Sequence, residues 1–252
     1  MQGARPWLAS SASIACLAVA SGGACAQQDA GWTAELTPFV WAAGMKGDVG
    51  IGQVQADGVE MSFPDIAKSL RAGFMGSIEG RKGPLGLFAE AIYMDLTQTH
   101  PAPHDFLGDV HAQVKQQGYA LAALWRVAEG PQAVDLCVGA RDNDIKADLS
   151  LSSSALAPGG RRRVASRSWV DGYVGARVLY PVSGRWTLLG YADIGAGGSD
   201  STWQVMAGAN YAISPTASAK LGYRLLKVDY HKDDFLYDMS SGGLYAGVGF
   251  LF

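Results

Sequence analysis

Apolar and polar positions alternate along most of the chain from residue 32 onward. The clearest case is 244–252, where Leu244, Ala246, Val248, Phe250 and Phe252 fall on one side and Tyr245, Gly247, Gly249 and Leu251 on the other. A repeat of two is the mark of a β-strand, whose successive side chains point to opposite faces. The same pattern predicts strands over 32–43, 70–81, 85–97, 110–127, 133–148, 166–180, 186–194, 203–211 and 219–230. Lys82-Gly83-Pro84, Glu129-Gly130-Pro131, Val182-Ser183-Gly184 and Ser214-Pro215 mark tight turns after every second strand. Most of the remaining connections are longer. Within 85–97, Glu90 and Asp95 fall on opposite parities, which predicts a bulge between them. The first long connection holds Pro64-Asp65-Ile66-Ala67-Lys68-Ser69, a short helix with Ser62 as its candidate cap.

On nearly every strand one face is aliphatic or aromatic and the other holds small residues and charges. A soluble barrel would not point so many apolar side chains outward. The expected fold is therefore all-β: an antiparallel, up-and-down transmembrane β-barrel of about ten strands, with eight and twelve as the neighbouring even counts. Short turns at one end and longer loops at the other give the rhythm of such barrels, and the short helix belongs to the first outer loop. Trp32, Trp41, Trp125, Trp186 and Trp203 all fall near strand ends, where interfacial girdles sit.

Composition adds the address. Arg5, the apolar stretch 7–20 and Ala24-Cys25-Ala26 read as a secretory signal peptide over 1–26, leaving one barrel domain at 27–252. Ser13 and Gly22 stand where a lipoprotein box would want a leucine-like residue ahead of Cys16 or Cys25. Cys137 is the cysteine left after cleavage, so no internal disulfide is expected. No later stretch reaches the roughly 18 to 20 apolar residues of a membrane helix. A net charge of −3 argues for no nucleic-acid partner.

Trp169-Val170-Asp171, Gly175-Ala176-Arg177, Trp186, Asp193-Ile194-Gly195, Gly198-Ser199-Asp200, Trp203-Gln204, Gly222-Tyr223-Arg224, Val228-Asp229-Tyr230 and Gly249-Phe250-Leu251-Phe252 form a set. Leu36-Thr37-Pro38-Phe39 and Tyr93-Met94-Asp95-Leu96 extend it toward the N-terminus. The set resembles a family of small Gram-negative outer-membrane β-barrel proteins. The resemblance implies that fold and a cell outer-membrane location, and it carries no established activity. It also implies that Phe250 and Phe252 serve as the assembly signal read by the barrel-insertion machinery.

The inward parity collects Arg71, Glu79, Glu90, Arg126, Asp135, Arg141, Asp171, Arg177, Asp193, Lys220 and Arg224. Buried charges must be paired, and a barrel of this size is narrow. The favoured expectation is a structural or interaction barrel whose lumen is filled by a neutralising charge network. The alternative is a narrow channel whose charged ring sorts small solutes. A third reading is an outer-membrane hydrolase. Ten-strand proteases of the omptin type use an Asp pair with an Asp–His pair, and Asp142-x-Asp144 and Asp229-x-His231 would suit water activation. No omptin motif surrounds them, so no enzyme is expected. His100, His104 and His111 fix no metal geometry, and neither metal nor cofactor is expected. Arg161, Arg162, Arg163 and Arg167 are placed outside, toward lipopolysaccharide phosphates or simply solvent. Outer-membrane lipid is the expected surrounding partner, and Cys137 is expected to be an inward packing residue.

Overall fold

The computed structural model describes residues 31–51, 54–100, 110–130, 132–151, 161–232 and 235–252. The expected signal peptide and His104 lie outside these residues, as do the side chains of His100, His111 and Arg161 to Arg163. The strands are β1 (Thr33–Ile51), β2 (Val54–Met61), β3 (Leu70–Lys82), β4 (Leu85–His100), β5 (Val110–Ala128), β6 (Ala133–Leu151), β7 (Arg161–Ser183), β8 (Trp186–Gly197), β9 (Ser201–Ser214), β10 (Ala217–Lys232) and β11 (Phe235–Leu251). Helix α1 (Phe63–Ser69) lies between β2 and β3. All pairings are antiparallel between neighbours, and β11 closes the sheet onto β1. Strand β2 pairs with the outer part of β1 and has no second strand partner among the described residues, where the ring counts ten strands.

The predicted tight turns join β3 to β4, β5 to β6, β7 to β8 and β9 to β10 at one end. Gly83 (φ 57°) and Gly184 (φ 55°) hold the left-handed backbone that two of them need. The first and last strands meet there too: Ala34 and Phe252 exchange backbone hydrogen bonds of 2.9 Å in both directions. Short turns identify this as the periplasmic end.

The outside of the ring is apolar. Val40, Phe74, Leu121, Val138, Val174, Ile194, Leu221 and Leu244 are each exposed on it. A continuous apolar belt of this kind far exceeds what a soluble surface tolerates, whereas lipid solvates it. Phe250 and Phe252 stand on the same face, and Trp32, Trp125, Trp186 and Trp203 are exposed along it. The chain is an outer-membrane β-barrel protein.

Five local expectations change. Trp41 does not join the girdle; it is 7% exposed and faces the lumen, where its indole nitrogen donates to the Arg224 carbonyl at 3.3 Å. Glu90 and Asp95 stay on opposite faces, because the β4–β5 register runs unbroken. The irregularity sits across the other edge, between Leu70 and Ala72 of β3. Arg71 is the residue displaced by that shift, and it is exposed rather than inward. The final strand begins at Phe235, since the polar stretch before Leu244 continues the ladder with β10 and β1. Ser62 makes no capping bond from its side chain to the helix backbone; its hydroxyl instead donates to the Asp65 carboxylate, which that bond holds below the usual carboxylate range.

Candidate functional site

Inward parity brings most of the candidate charges together, in tiers. At the periplasmic level Asp135 has no exposed side-chain surface and receives three arginines. Arg126 grips it through two nitrogens at 2.8 and 3.2 Å. Arg177, its direct partner across β6 and β7, reaches it at 2.7 Å. Arg81 adds a contact at 3.0 Å. The same Arg177 nitrogen also donates to Glu79 at 2.8 Å and a second one does so at 2.5 Å, so its fork spans both acids. Lys220 pairs with Glu35 and donates to the Thr37 hydroxyl at 3.1 Å.

At mid-height Arg224 makes a two-pronged bond to Glu90 at 2.8 and 2.7 Å. It also donates to the side-chain oxygen of Gln204 and lies 4.8 Å over the Trp41 ring. Beside it Arg141 donates to Asp193 at 2.9 Å and to the Thr202 hydroxyl at 3.1 Å. The Tyr191 hydroxyl donates to the same Asp193 oxygen at 2.6 Å. Tyr173 lies 4.9 Å beneath the Arg141 guanidinium, in space left by Gly139, where a Cβ would stand 2.6 Å from its ring. Cys137 packs inward with Ala122, Leu124 and Tyr173.

Asp171 stands outside this ionic system. It faces Arg141 across the β6–β7 ladder, but Arg141 turns to Asp193. Asp171, fully buried, accepts instead from the Trp169 indole at 3.1 Å and from the Ser199 backbone at 2.7 Å. Above it the lumen becomes apolar: Ile145, Trp169, Val228, Tyr230, Tyr237 and Met239 form one buried cluster. Trp169 and Tyr230 lie 4.7 Å apart between ring centres. Arg167 shares this parity and stacks 5.5 Å over Phe235 at the mouth, not outward as expected.

The lumen is therefore filled in its outer half and open below. A cavity of about 310 Å³ runs from Thr33, Glu35 and Leu251 near the periplasmic end up to Glu90, Arg141 and Arg224. Arg81, Arg126, Arg141, Arg177, Lys220 and Arg224 border it against Glu35, Glu79 and Glu90, while Asp135 and Asp193 lie behind the wall. The surface seen by a solute is cationic. A second cavity of about 60 Å³ lies beyond the partition of Glu90, Arg141 and Arg224.

The two candidate acid groups do not assemble into one site. Asp142 and Asp144 alternate with the inward Arg141, Asn143 and Ile145 and so stand on the outer wall of β6. Asp229 and His231 stand on the outer wall of β10, with β7, β8 and β9 between. His231 Nδ1 lies 2.8 Å from Asp229 and 3.5 Å from Asp200. The three could hold a cation, which the sequence reading did not anticipate because Asp200 arrives from the β8–β9 turn. Trp41, Tyr173, Tyr191, Thr202 and Gln204 were also absent from the charge list. Their inward parity was the signal that could have found them.

No family model matches the sequence, and neither does any curated protein. Among solved structures the barrel is similar to the outer-membrane protease OmpT of Escherichia coli, at 12% identity and a TM-score of 0.56, over 88% of this chain and 97% of that one. Neisserial surface protein A aligns over 87% and 96% at 17% identity and a TM-score of 0.34. The attachment invasion locus protein Ail of Yersinia pestis aligns over 88% and 98% at 12% identity and a TM-score of 0.39. At these identities the likeness to OmpT is one of fold, and the other two carry no further weight.

Proposed function

We propose that the protein is a narrow outer-membrane channel for small anionic solutes, closed at rest. The carrying observation is the cavity of about 310 Å³ with six cationic and three acidic side chains on its border. Arginine and lysine linings favour anions in narrow pores. Two levels close the path: the Arg224–Glu90 and Arg141–Asp193 pairs, then the apolar cluster around Trp169. Outer-membrane lipid, lipopolysaccharide at the outer rim and the insertion machinery are its partners in this reading. The separation of the two acid groups weighs against hydrolysis, so no enzymatic role is proposed.

Planar-bilayer recording and anion uptake into proteoliposomes test the proposal. The unaltered protein is expected to give brief, anion-selective openings. Trp169→Ala with Tyr237→Ala should raise open probability by about tenfold or more, since each ~1.4 kcal/mol of packing lost from the closed state alone is a tenfold shift. A protein that stays impermeable in both forms would refute it.

A further inference from the structure

The barrel wall has a seam. Along one edge β1 pairs with β3 over Thr33 to Pro38 and with β2 from Met45 to Ile51. Among the described residues, 39–44 have no strand partner there, and neither do residues 70–75 of β3 on the facing edge. The Trp41 backbone N–H, left without a ladder acceptor, donates to the Met75 sulfur at 3.3 Å. An unpaired backbone donor facing hydrocarbon is costly, so this stand-in marks a place where the wall is held by side chains. The seam lies within the lipid belt, flanked by exposed Val40, Leu70 and Phe74.

Helix α1 packs against β1 and β4 beside the seam and buries Ile66 and Ser69. Ile66 is 6% exposed, while its helical neighbours Asp65, Ala67 and Lys68 are exposed. Behind Ile66 is the smaller cavity, walled by the apolar Trp41, Met45, Ile92, Met94 and Leu226 and also by the paired Glu90, Arg141 and Arg224. One wall residue is polar and unsatisfied: Asn143 is 8% exposed, and its amide nitrogen has no acceptor. A buried donor calls for an acceptor, at a cost of about 1–3 kcal/mol when it has none.

We infer that this chamber is a binding site for an acyl-type amphiphile, an apolar chain ended by a carboxyl, which enters from the outer leaflet through the seam when α1 lifts. The chain takes the place of Ile66 among Ile92, Met94 and Leu226, and the carboxyl oxygen accepts from Asn143. At about 60 Å³ the closed chamber holds no chain, so Ile66 must leave for the site to fill. The inference is independent of solute passage through the periplasmic cavity.

The experiment uses the full barrel in proteoliposomes, photolysed with a decanoate-length carboxylate carrying a diazirine and, in parallel, with its alkane analogue and a phospholipid carrying the same group in one acyl chain. Mass spectrometry maps the adducts, and heat-modifiable gel mobility certifies that each variant is folded. The carboxylate is expected to label Ile66, Ile92 and Met94. Ile66→Trp, whose larger side chain occupies the chamber, should lower Ile92 and Met94 labelling about tenfold. Asn143→Leu should lower carboxylate labelling by about tenfold or more, the loss of one charge-assisted hydrogen bond, and leave the alkane unaffected. Adducts confined to Val40, Phe74 and Leu244 would overturn the inference. Equal labelling of Ile92 and Met94 by the phospholipid would overturn it too, by making the seam a lipid contact. Bilayer conductance is a separate readout, so failure here and failure of the channel proposal remain distinguishable.

Discussion

The periplasmic and outer halves of the lumen are built by the same strands with the same parity, yet they solve opposite problems. Below Arg141 and Arg224 the inward positions carry charges around open space. Above them they carry Trp169, Tyr230, Tyr237 and Met239, packed against each other. Charged side chains resist collapse because closing on them would strip their hydration. Apolar and aromatic ones gain by collapse. The outward face changes too, from the apolar belt to Asp142, Asp144, Asp229 and His231 toward the outer end, but it is the interior that opens one half and plugs the other.

The largest test of this contrast is Asp135→Ala. Asp135 is the acid on which Arg81, Arg126 and Arg177 converge, and its loss leaves like charges facing each other. Removing one partner of a buried pair costs on the order of 3–5 kcal/mol. The midpoint of heat-modifiable mobility should fall accordingly, and an unchanged midpoint would mean that water screens the lower half far more than its burial implies.

Trp169→Ala probes the other half. It deletes packing against Tyr230 and Tyr237 and the indole donor to Asp171. Truncating a buried tryptophan costs about 3 kcal/mol at the lower end of its range, and that end applies here beside the solvated mouth. The same change should increase anion leak, whereas Asp135→Ala should lower stability without opening the outer plug. If both variants leak equally, the division into an open half and a plugged half is wrong.

A smaller effect is expected at the partition between them. Tyr191→Phe removes the hydroxyl that donates to Asp193 at 2.6 Å. A hydrogen bond to a charged group contributes about 1.5–3 kcal/mol, and Arg141 remains to hold the carboxylate, which favours the low end. Thermal unfolding of the two forms side by side decides it.

Much of this arrangement was legible in the sequence because lipid imposes strict alternation. Residues such as Arg177 and Asp135 could be placed inward on neighbouring strands from parity, while their direct pairing is a matter of register that the structure shows. Parity says nothing of where a long side chain turns, so Asp171 could not be seen to choose Trp169 and Ser199 over Arg141. The outer plug was hidden for a different reason. Val228, Tyr230, Tyr237 and Met239 share the inward parity, but an apolar residue in a membrane barrel reads by default as lipid-facing. The cavity was illegible because it depends on how Gly139 and Tyr173 divide space, a property of packed volumes rather than of pattern. The seam beside α1 depends on β3 leaving β1 early, and nothing local in the sequence of β1 announces that.

The smallest predicted effect falls on the residue that parity misplaced. Arg71 belongs to the inward set only if β3 alternates unbroken from its first residue. The β3–β4 register shifts between Leu70 and Ala72, and that extra residue carries Arg71 to the surface. No ion pair to it is found among the described residues, and an exposed charge without a fixed partner contributes little. Arg71→Ala should therefore change stability by no more than about 0.5 kcal/mol and leave conductance and ion selectivity as they were. A loss on the scale of Asp135→Ala, or a drop in anion selectivity, would place Arg71 back in the lumen and remove the bulge. The contrast between the two substitutions separates a charge that the fold has enclosed from one that the sequence merely aligned with it.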